Sequence, residues 1–183
     1  MTTLFAQSAE VVDWWRMAGE AGDWFAHRPA FDRAFRDRFL PLHERAAAGE
    51  CDGWIVTPRG ALALMILLDQ FPRNAFRGTA RMYATDPKAR ELARKAEARG
   101  HMSGVAPGLR LFLALPFSHS EDMADQDTAV RLNRRLGQPW LSHAEGHRDI
   151  IRRFGRFPHR NPILGRAATP EEARFLMNGG FRG

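Results

Sequence analysis

The chain has 183 residues, of which 44% are apolar; this is typical of one globular domain spanning residues 1–183 and excludes an intrinsically disordered chain. Its only cysteine, Cys51, excludes an internal disulfide framework and a cysteine-based zinc site, and fits a reducing compartment. The net charge of +6 comes almost wholly from arginines mixed with acidic residues, as on solvated helix faces, so nucleic acid is not an expected partner.

The first half of the chain carries clear signals for helix starts. The predicted starts are Ser8 as an N-cap, Pro29, Thr57-Pro58 and Asp86-Pro87. The helix from Pro29 is expected to end near Gly49 and to kink or split at Pro41. Residues 61–68 are apolar on every side of a helix, which predicts a helix that is buried all round.

The second half of the chain also carries residues that typically start and end helices. Predicted helices cover 107–115, 121–136 with Ser118 or Ser120 as the cap, Pro139 to about Arg153, and a last helix opened by a capping box of Thr169 and Glu172. Gly100 and Gly137 are expected to end the helices that precede them. Every element is helical, so the chain is predicted to be all-α, with about eight or nine helices in a bundle or in stacked hairpins.

The chain is expected to be soluble and cytoplasmic, with no membrane partner. Residues 1–15 lack the basic segment and apolar run of a signal peptide. The longest apolar run, residues 61–68, is far shorter than the roughly 20 residues that a membrane-spanning helix needs.

A carboxylate and an amide follow this apolar run directly, in the segment DQFPRN at residues 69–74. Asp69 stands at the C-terminal end of the predicted helix, where a negative charge is disfavoured unless it is paired. Two interpretations follow: a structural pair with Arg73, Arg77 or Arg81, or a carboxylate held at the floor of a pocket. The residue before a proline is driven out of the helical region, so Pro72 is expected to end the helix.

A second version of the segment, RFGRFPHRN, occupies residues 153–161. In both copies the pattern predicts a helix end, a proline, an asparagine cap (Asn74 and Asn161), one helical turn and a closing glycine (Gly78 and Gly165). This turn accounts for the phenylalanine, proline, asparagine and glycine. It does not account for Arg73 or Arg160, which a turn does not require.

Two further stretches carry polar residues in apolar surroundings. In LPFSHSEDMADQ, residues 115–126, Ser118 and Glu121 fit a capping box, His119 has no structural explanation, and Gln126 is expected to point inward. His147 lies among apolar residues on one face of the helix from Pro139, which fits either a satisfied core histidine or a ligand.

The sequence predicts no metal site and assigns no cofactor. In HAEGH, residues 143–147, the glutamate is misplaced for the HExxH zinc motif, and a third ligand would have to come from Asp69, His119 or Glu121. The chain contains no phosphate-binding loop, dinucleotide fingerprint or nucleophile elbow.

The segments LLDQFPRNAFRGTARMYATDPKA (67–89), LPFSHSEDMADQ (115–126) and IRRFGRFPHRNPILGRAATPEEARFL (151–176) resemble those of a widespread bacterial family. That family is known as a domain of unknown function and is grouped with tetratricopeptide-like helical folds. The resemblance implies antiparallel helical hairpins stacked in a right-handed superhelix with a concave side. It implies no reaction. Ser118 departs from the family, in which methionine is more frequent at this position.

The leading prediction is a polar pocket that binds a carboxylate or phosphate of a small molecule or peptide end, since arginine binds such groups bidentately. The predicted ligand-binding residues are Asp69, Arg73, Asn74, His119, Glu121, Gln126, His147, Arg160 and Asn161. One alternative is a hydrolase, possibly metal-assisted, with His119, Glu121, His147 and Asp69 as candidate catalytic residues. Another is a protein-interaction scaffold with an exposed apolar groove. The sequence does not decide between an enzyme and a binding protein.

Overall fold

The structure, a computed structural model, describes residues 4–183, and side chains from residue 6 onward. Within these residues it contains helices and turns and no strand, which confirms the predicted all-α class. The α-helices are α1 Leu4–Glu20, α2 Pro29–Ala47, α3 Pro58–Met65, α4 Phe71–Ala75, α5 Asp86–Ala98, α6 Leu111–Ser118, α7 Met123–Leu136, α8 Trp140–Phe154 and α9 Pro170–Met177. The stacked tetratricopeptide-like superhelix stays a prediction, and so does the absence of a signal segment, which rests partly on residues 1–3 outside the described range.

The chain divides into two compact units. The first contains residues up to Arg77 together with Arg81–Pro116, and the second contains Gly78–Ala80 together with Phe117–Gly183. Across residues 4–183, every helix is too short or too polar to cross a lipid bilayer.

The first unit is built around α3 and the aromatic side chains of α1 and α2. Every residue from Gly60 to Leu68 is buried, as the all-round apolar pattern predicted. The fully buried Trp15 stacks on Phe35 with ring centroids 5.4 Å apart and meets Phe112 edge-on at 5.2 Å. Aromatic pairs of this kind add to the stabilisation that area burial provides.

The prediction that Pro72 ends the helix at Phe71 is wrong. After α3 the backbone forms one π-helical turn, Ile66–Gln70, and the helix resumes as α4 with Pro72 in its first turn. In the π turn the Phe71 amide donates to the carbonyl of Ile66, five residues back. A proline is tolerated in a first helical turn, where its missing N–H is not needed. The widened turn therefore absorbs the proline without ending the helix.

The π turn leaves backbone carbonyls that side chains satisfy. The Leu67 carbonyl lies 2.9 Å from Nδ1 of the buried His43, and the Leu68 carbonyl accepts from the Thr85 hydroxyl at 2.6 Å. Burial lowers the pKa of His43 despite the bond to Leu67, so the ring is neutral at pH 7 and donates from Nδ1.

The second unit contains the helical hairpin of α7 and α8, joined by residues 137–139, followed by α9. Its apolar centre is formed by Ile150, Ile151 and Phe157, with Met123, Phe154 and Phe175 packed against them. The predicted capping box is confirmed: Thr169 accepts from the Glu172 amide, and the Glu172 carboxylate accepts from the Thr169 amide at 2.7 Å.

Several other predicted helix starts and ends are also confirmed. Thr57 accepts a bond from the Gly60 amide as the N-cap of α3. Gly100 follows α5 in the left-handed conformation, with φ 69°, as a glycine after a helix end often does. Gly137 ends α7.

Other predicted boundaries are wrong. The first helix already runs at Leu4, so Ser8 lies inside it, and α2 continues through Pro41 instead of splitting there. Its end at Ala47 agrees with the predicted end near Gly49. Asp86 is the first residue of α5 and Thr85 precedes it as the N-cap residue. For α7 the cap is Asp122, whose carboxylate accepts from the amides of Ala124 and Asp125 and replaces the predicted Ser118 or Ser120.

Candidate functional site

The predicted site residues fall into two groups, one in each unit. Asp69, Arg73 and Asn74 belong to the first unit, while His119, Glu121, Gln126, His147, Arg160 and Asn161 belong to the second. The two groups differ in how far their polar atoms are satisfied by neighbouring protein atoms.

In the first group Arg73 lies between two carboxylates. Its guanidinium makes two hydrogen bonds to Asp86, at 2.9 and 3.0 Å, and lies 3.1 Å from an oxygen of Asp69. Asp69 and Asp86 are 1% and 5% exposed. Burial opposes the charge on Arg73, but the two carboxylates outweigh it and raise the pKa of the guanidinium. This arrangement matches the first of the two interpretations of Asp69, a structural pair with Arg73, although Asp69 lies within a π turn and not at a helix end.

The amides beside Arg73 are also engaged within α4 and the π turn. Gln70 donates to the Asp69 carboxylate at 2.6 Å, and Asn74 donates to the Gln70 carbonyl at 2.9 Å. The Asn74 oxygen accepts from Arg77 at 3.2 Å. Asn74 thus lies inside a helix, and its predicted role as the cap of a following turn is wrong. All these contacts favour a structural role for the first group, whose ligand-binding role stays a prediction.

In the second group Gln126 and Glu121 hold two loops in place. The Gln126 side chain is fully buried and donates to the carbonyls of Ser118 and Ser120 at 2.9 and 2.6 Å, as its inward position predicted. Glu121 accepts from the Phe157 amide at 2.8 Å and from both terminal nitrogens of Arg166. Glu121 is therefore a loop anchor, and its capping box with Ser118 does not form. Burial alone would raise the pKa of this carboxyl, but the bonds from Arg166 and Phe157 outweigh it and lower the pKa.

The second FPHRN copy does not fold like the first. Helix α8 ends at Phe154, Gly155 is left-handed, and Pro158–Arg160 form a 3₁₀ turn that ends at Asn161. Residues 162–164 form turns and no helix, so the predicted cap role of Asn161 is wrong.

Asn161 is 1% exposed, yet within the described chain neither its amide nitrogen nor its amide oxygen has a hydrogen-bond partner. It lies near enough to Glu172 to help the main cause, Arg156, lower the pKa of that carboxyl to about 2, but the geometry is not that of a hydrogen bond. A buried unpartnered amide is costly and calls for an explanation.

Arg160 lies beside Asn161 and is 7% exposed. It donates to the His119 carbonyl at 2.9 Å, and its guanidinium stacks over the Phe157 ring at 4.5 Å. The arginine that the turn did not require thus places a positive charge among the histidines of this unit.

Two histidines complete the cluster. The pKa of His147 is lowered to about 3 by burial first and then by His119, Arg160, His143 and His159. That of His159 is lowered to about 4 by burial and then Arg160, with Glu121 acting in the opposite direction. Nδ1 of each ring is buried and has no hydrogen-bond partner among residues 4–183. Both imidazoles are therefore neutral at pH 7 in surroundings that disfavour additional positive charge.

One aromatic side chain covers both rings. The Phe181 ring lies 4.7 Å from that of His147 and 5.2 Å from that of His159, while 40% of the residue remains exposed. Beside it, α8 and α9 line a cleft of about 370 Å³, whose walls are Ser142, His143, Gly146, His147, Asp149, Ile150, Arg153, Phe154, Phe175 and Phe181.

We call His147, His159, Arg160 and Asn161 the histidine cluster. It combines positive charge, low exposure and polar atoms without partners, which is the environment that an anion stabilises. The described residues contain no group of three side chains able to hold a metal ion. His147 is a weak general base at pH 7, because its pKa of about 3 lies far below that pH.

The predicted ligand-binding residues included Arg160, Asn161 and His147; His159 was unexplained by the turn but stood outside that set, as did Arg166 and Phe181. His159 carried a signal, since it is the residue by which the second copy exceeds the first. Arg166 and Phe181 carried none, because they reach the site through tertiary contacts.

Comparison with known proteins gives a family. Residues 11–180 match the model of DUF924, described as a bacterial protein of unknown function. A solved structure of a protein of unknown function from Agrobacterium tumefaciens is similar, with 55% sequence identity, a TM-score of 0.94, and coverage of 97% of this chain and all of that chain. No curated protein matches the chain. Because the match spans nearly the whole sequence, the chain belongs to the DUF924 family of bacterial proteins of unknown function.

Proposed function

We propose that the second unit binds an anion, the carboxylate or phosphate of a small molecule or peptide end, at the histidine cluster. The observation that carries the proposal is Asn161, whose amide is 99% buried and has no hydrogen-bond partner within residues 4–183. An anionic oxygen can accept from the Asn161 amide nitrogen and from an imidazole N–H, which removes the cost of leaving them unpaired.

Electrostatics supports the same ligand class. His119, His143, His159 and Arg160 all lower the pKa of His147, so the surroundings of its ring repel added positive charge. Glu121, the carboxylate that acts on His159, already accepts two bonds from Arg166. An anion therefore meets the positive charge of Arg160 while Glu121 is already paired with Arg166, and it raises the pKa of both histidines.

A hydrolase is less favoured by the same contacts. Glu121 is bound to Arg166 and to a backbone amide, which leaves it poorly placed to support His119 or His147 as a general base. Asp69, the other candidate carboxylate, is paired with Arg73 in the first unit. The contacts of the described residues do not indicate which protein would bind if the chain were an interaction scaffold. Binding is thus the simplest activity that uses the unpartnered atoms.

Calorimetric titration of the protein with inorganic phosphate and with acetate at pH 6.5 tests the proposal. We expect saturable binding to the wild type and at least about tenfold weaker binding to Asn161→Leu and His147→Phe, since each loses a charge-assisted bond of about 1.5–3 kcal/mol. The matched control is Arg134→Gln, which removes an exposed positive charge at the end of α7. Equal weakening in the control indicates general charge attraction, and no binding to the wild type refutes the proposal.

A further inference from the structure

We propose that the anion of this site carries a phenyl or similarly flat apolar group, and that this group binds where the Phe181 ring now lies. The inference rests on the proposed function and names its ligand class: an arylalkanoate or aryl phosphate. The first support is that the cluster and the cleft share His147. Its ring contributes to the histidine cluster and lines the cleft between α8 and α9.

The second support is the shape and lining of the cleft. Its volume of about 370 Å³ is well above the 150 Å³ or so of an engineered apolar cavity that binds benzene. Phe154 and Phe175 line it with ring centroids 5.0 Å apart, and both rings lie in the cleft wall beside Ile150. A few convergent polar groups at one end of an apolar cleft are typical of small-molecule sites.

The third support is Phe181 itself, which already occupies the position of such a group. Its ring contacts both imidazoles and is 6.4 Å from Phe157, so an aromatic ring is the shape that these surfaces accept. An exposure of 40% means that the ring is only partly buried there. Displacing it therefore sacrifices less apolar contact than displacing a core phenylalanine.

Two glycines, Gly179 and Gly180, connect Phe181 to α9. Gly179 has φ 82°, a conformation that favours glycine, and a side chain at Gly180 would meet the Phe175 ring and carbonyl at 2.6 Å. The Gly180 amide bonds to the Phe175 carbonyl at 2.9 Å, and Arg182 bonds to the Leu176 carbonyl. For the ligand ring to replace Phe181 on His147 and His159, this short segment has to turn at its two glycines.

Competing titrations at pH 7 test the inference. Phenylacetate and acetate carry the same charge, so the ratio of their affinities isolates the ring; benzyl alcohol supplies the ring without the charge. We expect phenylacetate to bind at least about tenfold more tightly than acetate, because burying most of a ring contributes more than the free energy of one decade in affinity. The peptide Gly-Gly-Phe distinguishes a peptide end from a small molecule as the source of the same chemistry.

The variant Phe181→Ala removes the competing ring, and we expect it to bind phenylacetate several-fold more tightly than the wild type. The control Met177→Ala shortens a side chain that is 77% exposed on the neighbouring helix and leaves the affinity unchanged. Phe181→Leu gives an intermediate affinity and shows that the effect follows the ring and not the fold.

The outcomes separate this inference from the proposed function. If acetate binds and His147→Phe weakens it, while phenylacetate binds no more tightly, the anion site stands and the aromatic preference is refuted. If benzyl alcohol binds as tightly as phenylacetate, the cleft takes an apolar group without an anion, and this inference is overturned. If none of the probes binds, both proposals fail.

Discussion

The two Phe-Pro segments of the chain each contain a buried asparagine, and the two asparagines differ in their hydrogen bonding. Asn74 is buried and bonded through both polar atoms, to the Gln70 carbonyl and to Arg77. Asn161 is buried more deeply, and within the described residues both of its polar atoms lack a partner. A similar sequence thus yields one region whose polar groups satisfy each other and one whose polar groups do not.

We use this difference to distinguish polar groups that stabilise the fold from polar groups that are available to a ligand. Around Asn74 the π turn, the Asp69–Arg73–Asp86 group and the side chains of His43 and Thr85 use each other's hydrogen-bonding capacity. Around Asn161 the histidine cluster leaves amide and imidazole atoms unused. Natural proteins tolerate such a cost chiefly where function requires it.

The largest expected effect comes from the satisfied region. Arg73→Met leaves Asp69 and Asp86 buried without the cation between them, and we expect it to lower the free energy of unfolding by about 3–5 kcal/mol. In the other region, the His147 ring is neutral at pH 7 and has an unpartnered nitrogen. Replacing it in His147→Phe should therefore change the free energy of unfolding by no more than about 1 kcal/mol. Urea unfolding of both variants measures the contrast. A loss below about 1 kcal/mol for Arg73→Met contradicts the structural role of the arginine.

Acid stability supplies the next effect. Because the pKa of His147 falls from 6.5 in the unfolded chain to about 3 in the fold, the unfolded state binds more protons between these values. Above pH 6.5 the protonation of His147 costs no stability. As the pH falls toward 3 the free energy of unfolding decreases, and at pH 4 this residue alone lowers it by on the order of 3 kcal/mol. The charged and titratable groups around it are His119, His143, His159 and Arg160.

The His147→Phe variant removes this proton uptake, so its free energy of unfolding should fall less steeply than that of the wild type between pH 6.5 and 4. Unfolding curves at several pH values compare the two slopes. Identical slopes mean that His147 titrates normally in the fold and that its surroundings are not those described.

The third prediction compares the asparagines directly. Asn74→Leu removes the donor to the Gln70 carbonyl and the acceptor for Arg77, and we expect a loss of about 1–3 kcal/mol. Asn161→Leu replaces an unpartnered amide by an apolar group of similar size, and we expect a neutral or stabilising change. Thermal unfolding without added anions measures both. Equal losses would show that Asn161 has a structural partner.

The smallest expected effect concerns the π turn. Thr85→Val deletes the hydroxyl that donates to the Leu68 carbonyl, and we expect it to destabilise the protein by about 1 kcal/mol. Thr85→Ser keeps the hydroxyl and should retain most of the stability. If valine is tolerated as well as serine, the carbonyl is satisfied in another way.

Much of the fold could be predicted from sequence signals that act locally. The apolar run at 61–68, the Thr57 cap and the capping box of Thr169 and Glu172 act within one or two helical turns, and all are confirmed. The π turn could not be predicted, because its carbonyls depend on His43 and Thr85, which are distant in sequence. The expectation that two similar segments form the same turn failed for the same reason.

The candidate site was only partly predictable. The sequence indicated Arg160, Asn161 and His147 as site residues, because they are polar or charged side chains in a turn or on an apolar helix face. Satisfaction of polar atoms cannot be read from sequence, because it depends on which partners the tertiary fold supplies. That is why Arg73 and Arg160 received the same predicted role, although Arg73 lies between two carboxylates while Arg160 bonds to a carbonyl beside two neutral histidines.

The most direct measurement is an NMR titration of the His147 and His159 imidazoles with inorganic phosphate at pH 6.5. We expect saturable shifts of their ring nitrogens and a raised pKa for both rings, with Asn161→Leu requiring at least about tenfold more phosphate. His101, which is buried against the Ile55 carbonyl in the first unit, serves as the internal control and should not shift. Unchanged signals of His147 and His159 at high phosphate concentration, or an equal response of His101, would contradict an anion site at the histidine cluster.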